Sequence, residues 1–234
     1  MPEDPVKELR QLVVSLGEWL KYQRRLGRLG EPKKAGPRSQ EQAPVINLFP
    51  NLTEIRAELG DCRRCKLAAR RTHIVFGDGA SRAALMFSGE GPGEEEDLQG
   101  LPFVGAAGQL LNNLLNKLGL KREEVYIANV VKCRPLGNRD PEADEITACL
   151  PFLKKQINAI RPQVIVTLGR IATQALLDTK TPLTRLRGQW QRYRQIPVMP
   201  TFHPSYLLRF PKERHKTWED MQRVMEFLVA HEEI

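Results

Sequence analysis

The sequence predicts an α/β fold built around a parallel sheet, and three observations carry that expectation. Four short β-type runs stand at "AALMFSG" (83–89), "EVYIANV" (124–130), "QVIVTLG" (163–169) and "IPVMPTF" (196–202). Helical patterns lie between and after them, clearest at "AGQLLNNLLNKLGL" (107–120), "EADEITACLPFLKKQINAI" (142–160) and "RIATQALLD" (170–178), with a last helix expected over 212–231. The chain has 234 residues, 41% of them hydrophobic, enough for one sizeable core. Strands that alternate with helices form a parallel sheet covered on both faces.

The N-terminal part reads differently. Residues 5–28 place Leu9, Val13, Leu16 and Leu20 on one face among basic residues, the pattern of an amphipathic helix. "GEPKKAGPRSQEQAP" (30–44) is rich in Pro, Gly and charge and reads as a linker. The expected division is a helical extension over 1–29, a flexible linker over 30–49 and a globular domain over 50–234. The sequence leaves three uses open for the extension: docking on the domain, binding a protein partner or adding DNA contact.

The formal charge is +8, which favours a polyanionic partner. "MPEDPVKELR" lacks the apolar core of a signal peptide, and no apolar run reaches the length of a membrane span. A cytoplasmic protein with no membrane partner is therefore expected, where thiols stay reduced. The four cysteines follow C-x2-C-x67-C-x15-C: Cys62, Cys65, Cys133 and Cys149. Four thiolates so arranged suit Zn²⁺ or an iron–sulfur cluster. A zinc ribbon usually repeats the narrow C-x2-C, and the wide second pair here favours a [4Fe-4S] cluster. The arginines and Lys66 around the first pair either offset thiolate charge or face phosphates.

A parallel sheet binds its ligand outside the carboxyl ends of its strands. The first strand runs into "GEGPGEEED", the second ends at Asn129, and the fourth runs into "TFHPSYLLR". Glu90, Asn129 and His203 are therefore expected to meet on one edge. Gly89, Gly91 and Gly93 permit a tight turn and close backbone approach to a ligand. Glu94 to Asp97 read as a helix start or a solvated face. Phe103, in a Gly-bounded loop, suits stacking on a base or a place in the core. Leu207 and Leu208, beside Arg209, suit either an apolar wedge for duplex DNA or core packing. "GQWQRYRQ" (188–195) reads as a DNA-facing edge or an ordinary hairpin.

Taken together, "GEGPGEEED", "GLPFVGAAG", "NVVKCRP", "TFHPSYLLR" and the four cysteines in order resemble the family 4 uracil-DNA glycosylases, the iron–sulfur type. The resemblance covers about residues 52–230. It implies a three-layer αβα sandwich with a central four-stranded parallel sheet, here with an N-terminal helical extension. It also implies a structural [4Fe-4S] cluster on Cys62, Cys65, Cys133 and Cys149. The implied reaction is hydrolysis of the N-glycosidic bond of deoxyuridine in single- or double-stranded DNA, by a monomer, at the start of base excision repair.

On that resemblance each site residue has an expected role. Glu90 orients water and stabilises the sugar cation, and His203 donates to uracil O2. Asn129 reads the O4/N3–H edge, Phe103 stacks on the flipped base, and Gly91 brings its backbone N–H close. Some relatives have Ala at the position of Gly91, so a slightly roomier cavity is expected. Leu207, Leu208 and Arg209 fill the gap left in the duplex, and Glu96 assists. A relative that traps its substrate covalently would carry a basic, His-containing insertion before the last cysteine, which "CRPLGNRDPEADEITAC" lacks. A nucleic-acid-binding module with a structural metal would leave Glu90 and His203 idle.

Overall fold

The structure, a computed structural model, describes residues 50–231. The expected helical extension (1–29) and linker (30–49) lie outside the described residues. In chain order the strands are β1 (Asp78–Gly79), β2 (Leu85–Gly89), β3 (Tyr126–Asn129), β4 (Val164–Leu168), β5 (Gln191–Tyr193) and β6 (Ile196–Thr201). The α-helices are α1 (Leu52–Leu59), α2 (Glu94–Gln99), α3 (Ala106–Lys117), α4 (Ala143–Ile160), α5 (Gly169–Leu177), α6 (Leu183–Leu186), α7 (Pro204–Arg209) and α8 (Arg214–His231).

The expected four-stranded parallel sheet is corrected to a mixed sheet of six strands, in the order β1-β3-β2-β4-β6-β5. Its centre, β3-β2-β4-β6, is parallel throughout. An antiparallel strand is added at each edge: β1 against β3 and β5 against β6. "GQWQRYRQ" is thus a hairpin arm, with Tyr193 paired to Ile196. Every residue of β2, β3 and β4 is buried, as expected for strands covered on both faces.

Two apolar layers account for that burial. On one face Met86, Ala128, Ile165 and Val198 pack with Leu153 and Ile157 of α4 and with Ala172 and Leu176 of α5. On the other face Phe87, Ile127, Val166 and Met199 pack with Leu111 and Leu115 of α3 and with Met221, Val224 and Leu228 of α8. A smaller cluster, Ile55, Leu59, Phe76 and Phe152, fastens α1 beneath α4. Local chemistry starts these helices in register. The Asn51 side chain accepts from the Glu54 N–H at 3.0 Å, and Glu54 returns the bond to the Asn51 N–H at 2.9 Å. Glu145 does the same for α4, accepting from the Glu142 N–H at 2.7 Å.

The carboxyl ends of the four parallel strands are level. Gly89 pairs with Asn129 and Leu168 with Thr201, so the segments leaving these residues share one rim. β3 and β4 lie on opposite sides of β2, and chain direction diverges there, which opens the crevice where such sheets bind ligands. Among the described residues no helix is long and apolar enough to cross a membrane.

Leu115 is fully buried in the layer on the face away from the cysteines. Leu115→Ala should destabilise the domain by about 2–5 kcal/mol in urea titration. A loss below about 0.5 kcal/mol, the size of a surface substitution, would contradict this packing.

Candidate active site

A cleft of about 830 Å³ opens at the carboxyl rim of the sheet, and Glu90, Gly91, Phe103, Asn129 and His203 all line it. Residues separated by up to 113 positions in the chain therefore meet, as the strand ends require.

Asn129 closes the floor. It is 1% exposed, and neither its side-chain nitrogen nor its side-chain oxygen has a hydrogen-bond partner. A buried carboxamide left in this state costs about 1–3 kcal/mol per unsatisfied group. Its backbone is fixed from behind: the fully buried Lys132 ammonium donates to the Asn129 carbonyl at 2.8 Å and to Gln156 Oε1 at 2.7 Å. Across the rim, a Cβ on Gly89 would lie 2.4 Å from Asn129 Oδ1 and 2.6 Å from the Phe103 ring. Only glycine lets the carboxamide and the ring approach this closely.

Phe103 has φ 51°, a conformation that a bulky residue adopts only when its surroundings impose it. Glu96 supplies much of the constraint. Its Oε1 accepts from the Val104 and Gly105 N–H groups, each at 2.9 Å, and its Oε2 accepts from the Gly93 N–H at 3.1 Å. Arg122 donates to the Phe103 carbonyl at 3.2 Å, and Gly108 of α3 abuts that same carbonyl so closely that a Cβ would clash. The acidic run is thus the start of α2, and Glu96 is a strap for the Phe103 loop.

His203 caps α7. The Ser205 N–H donates to its Nδ1 at 3.1 Å, and Ser205 Oγ lies 2.7 Å from the same nitrogen. With Nδ1 accepting, the ring proton sits on Nε2. Burial lowers the His203 pKa to about 4, with Arg209 acting in the same direction and Glu96 against it, so the ring is a neutral donor at neutral pH. Its centroid is 5.7 Å from that of Phe103. Gly169, at φ +90°, presses the start of α5 against the His203 side chain.

Glu90 responds to burial in the opposite sense. Its pKa is raised to about 7, first by desolvation and then by the Asp140 carboxylate, with Arg170 opposing. Both neighbours line the cleft, and sequence reading assigned neither a role.

The comparisons with known proteins give the family. The family model described as "Uracil DNA glycosylase superfamily" matches residues 76–226. The chain belongs to this superfamily. It is similar to the "Type-4 uracil-DNA glycosylase" of Saccharolobus solfataricus, 48% identical over 76% of this chain and 87% of the relative. The type-4 protein of Sulfurisphaera tokodaii is 45% identical over 77% of this chain and 86% of its own. That of Thermotoga maritima is 46% identical over 76% and 95%.

The packing bears on two expected roles in this cleft. Leu207 is 4% exposed and faces a separate groove with Leu111, Phe202 and Trp218, so it packs inward and is not a free wedge. Leu208, 40% exposed, and Arg209 are the ones that reach the cleft. A Cβ on Gly91 would meet Val131 Cγ2 at 2.7 Å, so the space beside Gly91 already belongs to Val131 and is not spare room for a ligand.

The four cysteines are brought together away from the cleft, lining one small hollow of about 10 Å³ with Arg64 and Lys132. All four are free thiols. Among the described residues, no group of three or more His, Cys, Asp or Glu is placed to hold a metal ion. The charges around them divide. Arg64 donates to Cys62 Sγ at 3.2 Å, Arg71 to Cys133 Sγ at 3.6 Å, and the Lys132 N–H to Cys149 Sγ at 3.2 Å. Lys66 instead pairs with Glu142, and Arg63 with Asp61. Burial raises the Cys149 thiol and pushes Cys133 up to about 11, so without a cation both stay protonated. Lys132 is the residue that sequence reading missed here. Its signal was a lone cation inside the apolar run "NVVKC".

The two site groups titrate with opposite sign. Glu90 is raised, so its anion appears only as pH climbs through about 7, whereas His203 is lowered and stays neutral down to about 4. Side-chain NMR titration of the free protein should return midpoints in that order. A Glu90 midpoint in the ordinary range near ~4.3, or a cationic His203 at pH ~6, would contradict the described environments.

Proposed function

We propose that the cleft receives a deoxyuridine turned out of DNA and hydrolyses its N-glycosidic bond, releasing uracil and leaving an abasic site for base excision repair. The observation that carries this reading is the buried Asn129 carboxamide, unpaired at both atoms, on the floor of a cleft that also holds a carboxyl group and a neutral imidazole.

A carboxamide offers one donor and one acceptor side by side. Uracil presents the complementary pair, O4 and N3–H. Cytosine presents an amino group and a bare N3, the reverse pattern, and each mismatch leaves a buried group unpaired at about 1–3 kcal/mol. Phe103 supplies an apolar face for the flipped base, a contact worth about 1–3 kcal/mol. Extruding the base costs a few kcal/mol of unstacking. Leu208 and Arg209, on the rim, occupy the space it vacates.

When the C1′–N1 bond breaks, its electron pair goes to the base, and the sugar becomes cationic. His203 donates from Nε2 to the developing charge on uracil O2. A neutral imidazole suits this step, because the donor is set in place before charge develops. The ionised Glu90 lies across the cleft, stabilises the sugar cation and orients the water that adds to C1′. Gly91 follows it in the cleft lining and brings its backbone N–H close to the base.

The four cysteines are proposed as ligands of a [4Fe-4S] cluster. The donor set fits that group: four thiols, two of them with an arginine and one with a backbone N–H aimed at the sulfur. When bound, the cluster supplies a covalent tie between the 62–65 loop, the segment after β3 and α4. The residues that reach it do not line the cleft, so its role here is structural.

Incubation with a uracil-containing oligonucleotide followed by alkali should give strand cleavage with turnover. Glu90→Gln and His203→Ala should each slow excision by about 10²–10³ while DNA binding survives. Unchanged rates would remove both roles, and a stable protein–DNA adduct in place of turnover would favour a covalent trap. Purified protein should be brown and carry about four iron atoms per chain, and each Cys→Ser change should lower the iron content. Colourless, zinc-loaded protein would overturn the cofactor assignment.

A further inference from the structure

We propose that Lys132 is a positioning residue for Asn129: its buried ammonium locks the carbonyl end of β3, so that the carboxamide stands in one orientation toward the base. Lys132 does this from behind, without touching the substrate. The proposal rests on the reading of Asn129 as the group that recognises uracil.

The side chain folds back on its own strand. Its ammonium donates to the Asn129 carbonyl at 2.8 Å and to Gln156 Oε1 at 2.7 Å. Gln156, on α4, is held in turn: its Nε2 donates to the Phe76 carbonyl at 2.9 Å and to the Tyr126 hydroxyl at 3.1 Å. Both amide protons of Gln156 are thus committed, which turns Oε1 toward the ammonium. The Lys132 backbone is fixed as well. Its carbonyl accepts from the Val75 N–H at 2.8 Å, and its N–H meets Cys149 Sγ at 3.2 Å. The ammonium therefore works from a frame built on β3, α4 and the segment before β1. The residue lines the cysteine hollow and not the cleft.

An apolar side chain would fill this space without the desolvation cost of a cation. Lys132 is 1% exposed and Gln156 0%. What the cation secures is one backbone carbonyl, that of the residue whose side chain closes the cleft floor. The chain beyond Asn129 is tied to the loop that carries Glu90. The Val130 N–H donates to the Gly89 carbonyl at 2.9 Å, and the Val131 N–H to the Glu90 carbonyl at 3.1 Å. The bond from Lys132 thus closes the one side of Asn129 that faces away from the cleft.

On the front side, Gly89 and the Phe103 ring crowd the carboxamide. A backbone held behind and a side chain confined in front leave one orientation, with both polar atoms unpaired. The carboxamide stays in that costly state because it can neither turn nor back away to find a partner of its own. Without the ammonium, the Asn129 carbonyl loses its anchor and the carboxamide gains room to move. The loss then falls on recognition of the base. Contacts to the phosphates, which fix register and carry no base information, are untouched.

The test is a double-mutant cycle in the full chain, read by single-turnover excision from a single-stranded uracil oligonucleotide and by affinity for free uracil. K132M keeps the volume and removes the charge. It should slow excision and weaken uracil binding by about tenfold or more, the size of effect that an unsatisfied buried group produces. Its affinity for an oligonucleotide without uracil should stay within about twofold. On an N129A background K132M should cost little more, because the group that it positions is gone. Q156L removes the other partner of the ammonium without changing a residue of the cysteine hollow, and it should act in the same direction; it decides the matter if K132M lowers the iron content. Wild-type rate and uracil affinity in these variants overturn the proposal. A loss that adds in full to that of N129A also overturns it, since Lys132 then acts through another part of the protein. N129A separates the two readings: if it keeps full rate and uracil affinity, the role of Asn129 fails; if it is slow while K132M and Q156L match the wild type, only the role of Lys132 fails.

Discussion

Burying an amide side chain with nothing to bond is expensive, and this fold does so at the carboxyl end of β3. Asn129 is held from behind by Lys132, pressed from the front by Gly89 and Phe103, and left without a partner at either polar atom. A residue kept in that state has lost its freedom to find partners of its own. A ligand with the complementary edge recovers the deficit, and a ligand with the reversed edge does not. In the proposed function, recognition of the base is stored in the free protein as this unmet hydrogen-bonding demand, at the point where sheet topology opens a crevice.

The rest of the site is arranged around that carboxamide. Glu96 gathers three backbone N–H groups and so holds Phe103 in a left-handed conformation beside Asn129. Ser205 fixes the tautomer of His203, and burial keeps that ring neutral. Burial acts on Glu90 in the other direction and keeps its proton until near neutrality. One cleft thus holds a neutral donor and a poised carboxyl together, because burial disfavours the charged form of each. Lys132 joins this cleft to the cysteine site, since its ammonium supports Asn129 while its own N–H meets Cys149.

Much of this was legible in the sequence, for identifiable reasons. The four parallel strands are continuous apolar runs, and their carboxyl ends carry Glu90, Asn129 and His203, so their meeting follows from topology alone. The edge strands were less legible. β1 has two residues and no apolar pattern, and β5 lies in a polar hairpin arm that reads equally as an exposed edge. Leu207 and Leu208 are adjacent and chemically alike, and only the packing of α7 on α3 decides which faces inward. Asp140 and Arg170 belong to a loop and a helix start whose proximity to Glu90 no local pattern announces. Lys132 carried a signal, a cation in an apolar run, but its partners Asn129 and Gln156 lie on different elements.

The most direct measurement of the central claim is a crystal structure with free uracil bound. Uracil should lie against Phe103, with O4 and N3–H on the Asn129 carboxamide and O2 toward His203 Nε2. Uracil seated elsewhere, or seated in the cleft with the Asn129 side chain still unpaired, would contradict it.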